Sequence, residues 1–515
     1  MKTAYINVRM MNPRQKAFIV EKGRFTHVGS KRKILDQPIN QIIDLKDKTV
    51  LPGFNDAHLH VLGLGKTMRM IDVSKQPSIK AMINVLKTSK EEVIIGRGYR
   101  ETQFEDNKEP SRKDLDRVST NRPVLLYRFC GHVMIANTKA IEMALEVNGA
   151  YPQKRDYFDL AKGKFTESTK TFLMCLEKED KESLKAMILK GQSHLLSHGI
   201  TSVGSDDFGV VSVNYEAVMN VFKELAFDDA LKLRVLEQVN IACESQFEDF
   251  LEKGYPHKAF GRFKIGPVKL LTDGSLGART AALREPYSDK PGESGSMVYD
   301  KMFIQKRIEK ARHYKMDYAM HAIGDKAIET LIDISETLNN DSYRDAIIHA
   351  QLADERLIER MAYMNLGAQV QPAFTATDAS IVKARLGNRS DHAYLFNTMI
   401  EKNVPVAFST DAPIESVNPF HTLYAALKRT TVDQALEPYK QSEGITLEKG
   451  LEAYTKTGAY FARAEHELGH IKQGELADFI VVNDLDLNVS ESLKYAQVSE
   501  TYIEGTRVYK NEGKS

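Results

Sequence analysis

The 515-residue chain is 42% hydrophobic and 27% charged, as expected for a soluble globular protein, and is too long for a single simple core. With 71 Lys and Arg against 70 Asp and Glu, its net charge of +1 does not favour nucleic acid or an acidic membrane surface as a partner. No run of about 18 apolar residues predicts a transmembrane helix. The three cysteines form no CxxC pair and the N-terminus has no apolar signal-peptide core, so we expect a cytoplasmic protein without disulfide bonds.

Both ends of the chain have the pattern of short β-strands. Residues 1–52 alternate apolar and polar side chains and break at Gly, Pro and Asn, and residues 466–515 do the same. Because these two β-rich ends bracket a middle of different character, we predict one small β-sandwich domain formed by 1–52 plus 466–515.

The middle of the chain, 53–465, alternates short apolar strands with longer helical stretches. The segment that ends at His60 is the first strand candidate, and seven more follow it: 199–205, 232–241, 263–273, 316–322, 345–351, 366–372 and 404–411. Eight strands, most of them followed by a helix, are typical of the α/β class and of a (β/α)8 TIM-like barrel.

The connection between the first two strands is unusually long. Roughly 140 residues separate them, whereas a barrel unit needs about 30 to 40. The surplus contains its own strand candidates at 91–99 and 122–129. We therefore predict an inserted lid subdomain over 70–165, above the C-terminal face of the barrel, because the loops that follow barrel strands emerge there.

Polar side chains interrupt four of the predicted strands at their C-terminal ends. His58 and His60 follow the first strand, and residues two apart in a strand face the same way, so both imidazoles can point at one metal ion. His321, His349 and Asp411 close three later strands. A single such histidine is more often structural, but an ordered series at the catalytic end of a barrel indicates a metal site.

Lys269 lies within an apolar strand, where a charged lysine is costly unless its charge is paired or removed. Carbamylation by CO2 would turn it into a carboxylate able to bridge two metal ions. A lysine that extends to solvent, or a salt bridge with Asp273, explains the same residue equally well.

The ordered series resembles the amidohydrolase superfamily, in its amidohydrolase-3 branch of YtcJ-like and N-substituted formamide deformylase-like hydrolases. The matching stretches are LPGFNDAHLH, VKLLTDGSLGARTAAL, MHAIGDKAIE, IIHAQLADE, FSTDAPIESVNPF and GHIKQGELADFIVV. They span essentially the whole chain, and DGSLGARTAAL is the most specific to this branch.

The resemblance implies a divalent metal, most typically Zn2+, as two ions bridged by carbamylated Lys269. The two histidines of the first strand would bind the more buried ion, usually with Asp411, and His321 and His349 would bind the second. It also implies a small-molecule substrate and allows a homodimer.

The implied reaction is the hydrolysis of a carbon–nitrogen bond other than a peptide bond, in an amide or N-formyl-type compound, by metal-activated hydroxide. Asp411 would be the catalytic residue, accepting the proton of water and passing it to the leaving nitrogen. Candidate substrate-binding residues are Arg128, His132, Arg279 and Gln351. Arg128 and His132 could instead hold a loop in place, and Arg279 could instead form an ion pair at the surface.

Two alternatives stay open. One is a metal-binding regulatory protein that keeps the fold but has little catalytic activity. The other is a hydrolase with one metal ion and unmodified Lys269, acting on another type of bond. The fold alone cannot identify the substrate, because the same fold supports many chemistries.

Overall fold

The computed structural model describes the chain except for residues 102–103, 106, 130–132, 153–157, 178, 212, 339–341, 436 and 513–515. It divides into two compact units, of which the first contains 1–61, 192–209 and 222–515 and the second contains 62–191 and 210–221. In the described part of the chain no helix has the length and apolar character needed to cross a membrane.

The strands, numbered in chain order, are β1 (Lys2–Arg9), β2 (Ala17–Glu21), β3 (Arg24–Gly29), β4 (Gln41–Pro52), β5 (Phe54–Leu59), β6 (Ile71–Asp72), β7 (Ile94–Tyr99), β8 (Val124–Arg128), β9 (Val133–Ala136), β10 (Phe158–Asp159), β11 (Lys164–Thr166), β12 (Ile200–Ser205), β13 (Arg234–Val239), β14 (Ala259–Phe260), β15 (Phe263–Val268), β16 (Ala319–Ala322), β17 (Ala346–His349), β18 (Gly367–Val370), β19 (Val406–Phe408), β20 (Phe479–Asn483), β21 (Gln497–Ile503) and β22 (Thr506–Lys510).

The α-helices are α1 (Lys31–Leu35), α2 (Val61–Thr67), α3 (Ile79–Leu86), α4 (Arg112–Asp116), α5 (Thr138–Asn148), α6 (Thr171–Met174), α7 (Lys181–Ser197), α8 (Tyr215–Phe227), α9 (Glu244–Glu252), α10 (Lys301–His313), α11 (Asp325–Leu338), α12 (Glu355–Tyr363), α13 (Pro372–Thr377), α14 (Ala379–Leu386), α15 (Phe396–Glu401), α16 (Pro419–Lys428), α17 (Leu447–Ala453) and α18 (Lys456–Phe461).

The two ends of the chain meet in one seven-stranded sheet with the order β22-β21-β20-β4-β1-β2-β3. Strand β20 pairs antiparallel with β4, and β1 pairs parallel with β4. The rings of Tyr5, Phe18 and Phe479 pack together, with centroids 5.0 to 5.2 Å apart. Hydrogen bonds connect all seven strands into one sheet, and the ring centroids of Tyr5 in β1 and Tyr502 in β21, strands that are not neighbours in it, lie 5.7 Å apart. The predicted β-sandwich domain formed by both ends stays a prediction. The alternating pattern indicated strands but could not show that they are continuous across the two ends.

The parallel strands of the first unit position the candidate site. A five-stranded sheet has the order β14-β15-β13-β12-β5, and a four-stranded sheet has the order β16-β17-β18-β19. Within them every pairing is parallel except that of the short β14 with β15. Parallel bridges from Val268 to Tyr318 and from Leu271 to His321 join β15 to the four-stranded sheet.

The other edges of these two sheets also meet. Beyond β19, the Asp411 amide donates to the His58 carbonyl at 2.9 Å, and the His60 amide donates to the Ala412 carbonyl at 2.9 Å. The predicted α/β class is therefore confirmed. A closed (β/α)8 barrel is the interpretation that these connections favour, and it stays a prediction.

The second unit has its own six-stranded sheet, in the order β10-β11-β9-β8-β7-β6. The strands expected at 91–99 and 122–129 correspond to β7 and β8. Leu86, Ile94 and Leu126 are fully buried in a core of this unit, which explains why the long connection forms its own structure. Its limits are wider than the predicted 70–165, and its role as a lid stays a prediction.

Candidate metal centre

Three of the predicted ligands converge at the C-terminal ends of neighbouring strands. Nε2 of His58 lies 3.5 Å and Nε2 of His60 3.3 Å from Oδ1 of Asp411. One ligand atom from each of the three residues falls within 4.8 Å of the others. His58 and Asp411 are buried and His60 is half-buried. Two imidazole nitrogens and a carboxylate oxygen form a donor set suited to a divalent metal such as zinc.

The backbone around Asp411 is held in an uncommon conformation. Asp411 has φ of +54°, in the left-handed region. Its neighbour Thr410 donates two hydrogen bonds to the buried carboxylate of Asp56, from the amide at 3.1 Å and from the hydroxyl at 2.7 Å. Burial raises the pKa of Asp56 to about 7, although these hydrogen bonds oppose the shift. Asp56 therefore joins the strand that bears His58 to the loop that bears Asp411.

In each histidine of the first strand, Nε2 faces Asp411 and Nδ1 has a hydrogen-bond partner. Nδ1 of His58 lies 2.6 Å from Oε1 of Gln238, and Nδ1 of His60 lies 2.6 Å from the carbonyl oxygen of Asp206. A carbonyl can only accept, so Nδ1 of His60 carries the hydrogen. The amide nitrogen of Gln238 donates to the Ala57 carbonyl, which leaves Oε1 to accept from His58. In its neutral form each ring would therefore present an unprotonated Nε2 to the cluster, as metal-binding histidines do.

The next two predicted ligands lie against this cluster. The ring centroids of His58 and His349 are 6.1 Å apart, and those of His349 and His321 are 4.6 Å apart. Nδ1 of His349 lies 2.7 Å from Oε1 of Gln371. Nδ1 of His321 lies 3.0 Å from Oδ1 of Asp273, close enough for an ion pair but not aligned as a hydrogen bond. All four histidines therefore belong to one group.

Lys269 is 1% exposed and forms no ion pair with any described residue. Burial lowers the pKa of its ammonium group, while the negative charges of Asp206 and Asp411 act in the opposite direction. The salt bridge with Asp273 that the sequence allowed is not formed. The carboxylate of Asp273 instead accepts from the backbone amides of Ile323 and Gly324, at 3.1 and 2.8 Å.

The titratable groups of the cluster differ sharply in proton affinity. Burial and the nearby charge of Lys269 lower the pKa of His58 to about 4. For His60, burial lowers the pKa, but the hydrogen bond to Asp411 and the charge of Asp206 raise it to about 9. Burial raises the pKa of Asp411, yet its contacts with both histidines hold it well below its ordinary value. His58 is thus neutral and Asp411 ionised at neutral pH, both forms that can bind a metal.

A group of buried acids next to the cluster was not predicted from the sequence. Asp206 and Glu237 are 2% and 0% exposed, and Oδ1 of Asp206 and Oε2 of Glu237 have no hydrogen-bond partner. Burial, together with the charges of Asp207 and Asp206, raises the pKa of Glu237 well above its ordinary value. The charge of Asp206 also acts on Lys269.

The four predicted substrate-binding residues have different surroundings. Arg279 pairs with Asp289 at 2.8 Å, and the amide nitrogen of Gln351 donates to the hydroxyl of Tyr394 at 2.6 Å. Arg128 belongs to the second unit, where it pairs with Glu101 at 2.9 Å. His132 lies outside the described residues. Contact with substrate stays a prediction for all four.

Gln238 and Gln371 are the residues at the centre that the sequence did not indicate. Both are buried, and each accepts a hydrogen bond from a predicted metal ligand. The available signal was a glutamine in or directly after an apolar strand: Gln238 lies in β13, two strands away from β5, and Gln371 follows β18, the neighbour of β17. Which histidine such a glutamine contacts depends on the order and register of the strands. The hydrogen bonds of the two glutamines could therefore not be predicted before the fold was known.

The fold and the donor set define the class. Parallel strands that present histidines and an aspartate from their C-terminal ends form the type of site found in metal-dependent hydrolases. The model of the amidohydrolase family matches residues 41–509, and the chain belongs to this family.

The chain is similar to several known proteins over nearly its whole length. It is 30% identical to YtcJ of Bacillus subtilis (strain 168), with 96% of each protein covered. It is 22% identical to the N-substituted formamide deformylase of Arthrobacter pascens, with 98% of each covered. The crystal structure of an uncharacterized metal-dependent hydrolase from Pyrococcus horikoshii OT3 matches with a TM-score of 0.83 and 30% identity, covering 95% of this chain and 99% of that one. The resemblance predicted from the sequence is confirmed, and the protein is an amidohydrolase-family metal-dependent hydrolase.

Proposed function

We propose that this protein hydrolyses a carbon–nitrogen bond other than a peptide bond, in a small amide or N-formyl-type compound. The observation that supports this most strongly is the convergence of His58, His60 and Asp411, with the other ring nitrogen of each histidine already engaged. The bond type is supported by the similarity to an N-substituted formamide deformylase over nearly the full length of both chains.

The donor set fits two divalent ions, for which Zn2+ is our proposal because nitrogen and carboxylate ligands suit it. The three converging residues would hold one ion, and His321 and His349 would hold the other. When bound, such ions lower the pKa of water and polarise a carbonyl oxygen. The fit is supported by the buried Oδ1 of Asp206 beside the cluster, which has no hydrogen-bond partner among the described residues.

Lys269 would bridge the two ions after carbamylation. In that reaction the lone pair of the neutral amine forms a bond to the carbon of CO2 and the nitrogen releases one proton, which leaves a carboxylate on the side chain. Burial, which lowers the pKa of Lys269, increases the fraction of neutral amine available for this step. The absence of an ion pair among the described residues leaves the amine free to react.

Asp411 would transfer the proton of the attacking water to the leaving nitrogen. Its Oδ1 faces His58 and His60, whereas no described residue donates a hydrogen bond to its Oδ2. This second oxygen can accept a proton from the attacking water and return it to the leaving nitrogen. The lowered pKa of Asp411 keeps its carboxylate ionised at neutral pH in the metal-free protein.

A panel of N-formyl and N-acyl amines tests this function. The protein is stripped with a chelator, assayed, and assayed again after Zn2+ is restored, with Asp411→Asn and the distant buried control Asp478→Asn treated in the same way. We expect metal-dependent release of amine by the wild type and by Asp478→Asn, and none by Asp411→Asn. Full activity in Asp411→Asn, or equal activity with and without metal, would contradict the assignment.

One specific observation favours a second candidate, a hydrolase with one ion and unmodified Lys269. The ammonium group of Lys269 feels the charges of Asp206 and Asp411, which stabilise it in the protonated form. Metal analysis together with the intact mass measured under CO2-preserving conditions separates the candidates. Two ions and an added carboxylate support the bridged centre, whereas one ion and the unmodified mass support the alternative.

A further inference from the structure

A cavity separate from the candidate metal centre opens in the first unit. It lies at the N-terminal ends of the parallel strands, opposite the candidate metal ligands. It encloses about 240 Å³ and is lined by residues of β5, β12, β13, β15 and β18 and of the segment 458–468. This space is large enough for several water molecules or a small organic molecule. None of the proposed metal ligands lines it.

Two buried side-chain amides on the cavity wall have an unused polar atom. Gln369 is 3% exposed, and its Oε1 accepts from Nε2 of Gln238 at 3.0 Å, but no described residue accepts from its own Nε2. Asn55 is 5% exposed, and its Nδ2 donates to Oγ of Ser202 at 2.7 Å, while its Oδ1 has no donor among the described residues. The cavity wall therefore has one free donor and one free acceptor available to a ligand.

The cavity wall also has one uncompensated positive charge. Lys264 lines the cavity and forms no ion pair with any described residue. The other charged groups of the wall are all paired: Arg234 with Asp478, Arg262 with Asp229, Arg463 with Asp317 and Glu467 with Arg24. The wall therefore offers an ammonium group and an amide donor to an anion, and an amide oxygen to a hydroxyl group.

We propose that this cavity is a second small-molecule site, specific for a small hydroxycarboxylate. The carboxylate of the ligand would accept hydrogen bonds from Lys264 and Gln369, and its hydroxyl group would donate to Asn55. This assignment is independent of the reaction at the metal centre. Hydrogen bonds to charged groups are stronger than those between neutral groups, so Lys264 makes the largest contribution to selectivity.

Calorimetric titration of the metal-loaded protein with malate tests the site, with malamide as the neutral analogue. We expect one malate per chain, and at least about tenfold weaker binding of malamide, because a hydrogen bond to a charged group is lost. Lys264→Met keeps the length of the side chain and should weaken malate binding to a similar extent. The matched control Lys253→Met, which removes a surface lysine paired with Asp249, should bind malate normally.

A second variant keeps the test valid if the loss of Lys264 disturbs folding. Ala464 lines the cavity, so Ala464→Phe should fill it without removing a polar group, and it should abolish malate binding while the melting temperature is maintained. If malate binds both Lys264→Met and Ala464→Phe with the affinity of the wild type, its binding site is the metal centre, and the proposal is overturned. Failure of the wild type to bind malate would overturn it as well.

Discussion

Replacing Gln238 by leucine should weaken metal binding although the residue is not itself a ligand. Gln238 is 1% exposed, and its Oε1 lies 2.6 Å from Nδ1 of His58. Leucine has a similar volume but cannot accept, so the imidazole loses the partner that fixes its tautomer and orientation. Loss of such a partner typically reduces metal affinity about 10- to 100-fold. This corresponds to about 1.4 to 2.7 kcal/mol of binding free energy.

Gln192→Leu is the matched control for this substitution. Gln192 is also buried, and it hydrogen-bonds the backbone of Ala230, Lys232 and Leu233, none of which is a proposed ligand. Both variants leave buried backbone groups unpaired, so each should lose about 1–3 kcal/mol of unfolding free energy. Only Gln238→Leu should lose metal affinity.

Competition with a chromophoric chelator measures the metal affinity, and denaturant unfolding of the metal-free protein measures the stability. A third variant, Gln238→Glu, restores an acceptor for His58 and should recover most of the affinity. If Gln238→Leu binds zinc as the wild type does, or if Gln192→Leu loses the same affinity, the reasoning is refuted.

Four further predictions concern His60, Lys269 and Arg279. Because the pKa of His60 is raised from 6.5 to about 9 in the metal-free protein, zinc binding at about pH 7.5 should release close to one proton from it. The release should disappear as the pH rises above about 9, as shown by calorimetry in buffers of different ionisation enthalpy. The same shift predicts that the contact of protonated His60 with Asp411 stabilises the metal-free fold fully below pH 6.5, and that this contribution is lost as the pH rises through about 9. Lys269→Ala should reduce the metal content from two ions to one, and an unchanged content would contradict the bridging role. Arg279→Met should leave KM unchanged, because Asp289 already engages the guanidinium group, and should change the unfolding free energy little, because exposed ion pairs contribute little to stability. A large rise in KM would instead place Arg279 in contact with substrate.

The convergence of ligands could be predicted from the sequence because parallel strands end at a common edge. His58, His60 and Asp411 each follow an apolar strand, and that simple property brings residues more than 350 positions apart into one cluster. The α/β class followed from the same alternation of strands and helices. These features depend on local pattern and chain direction, both of which are visible in the sequence.

The supporting hydrogen bonds could not be predicted, because they depend on the register between strands. Gln238 reaches His58 across β12, and Gln371 reaches His349 from the neighbouring strand, only because the order and register of the strands bring them to the same height. Asp273 was a possible partner of the buried lysine, yet the backbone amides of the loop after β16 occupy its carboxylate. The single terminal sheet likewise depends on the pairing of β4 with β20, which no local pattern specifies.

Anomalous scattering from crystals grown with zinc tests the central claim most directly. We predict a peak at the zinc absorption edge among Nε2 of His58, Nε2 of His60 and a carboxylate oxygen of Asp411, and a second peak beside His321 and His349. Density that continues beyond the amine of Lys269 and joins the two peaks would establish the bridge. The absence of a peak at the first position, in protein that hydrolyses an amide or N-formyl substrate, would contradict the proposed centre.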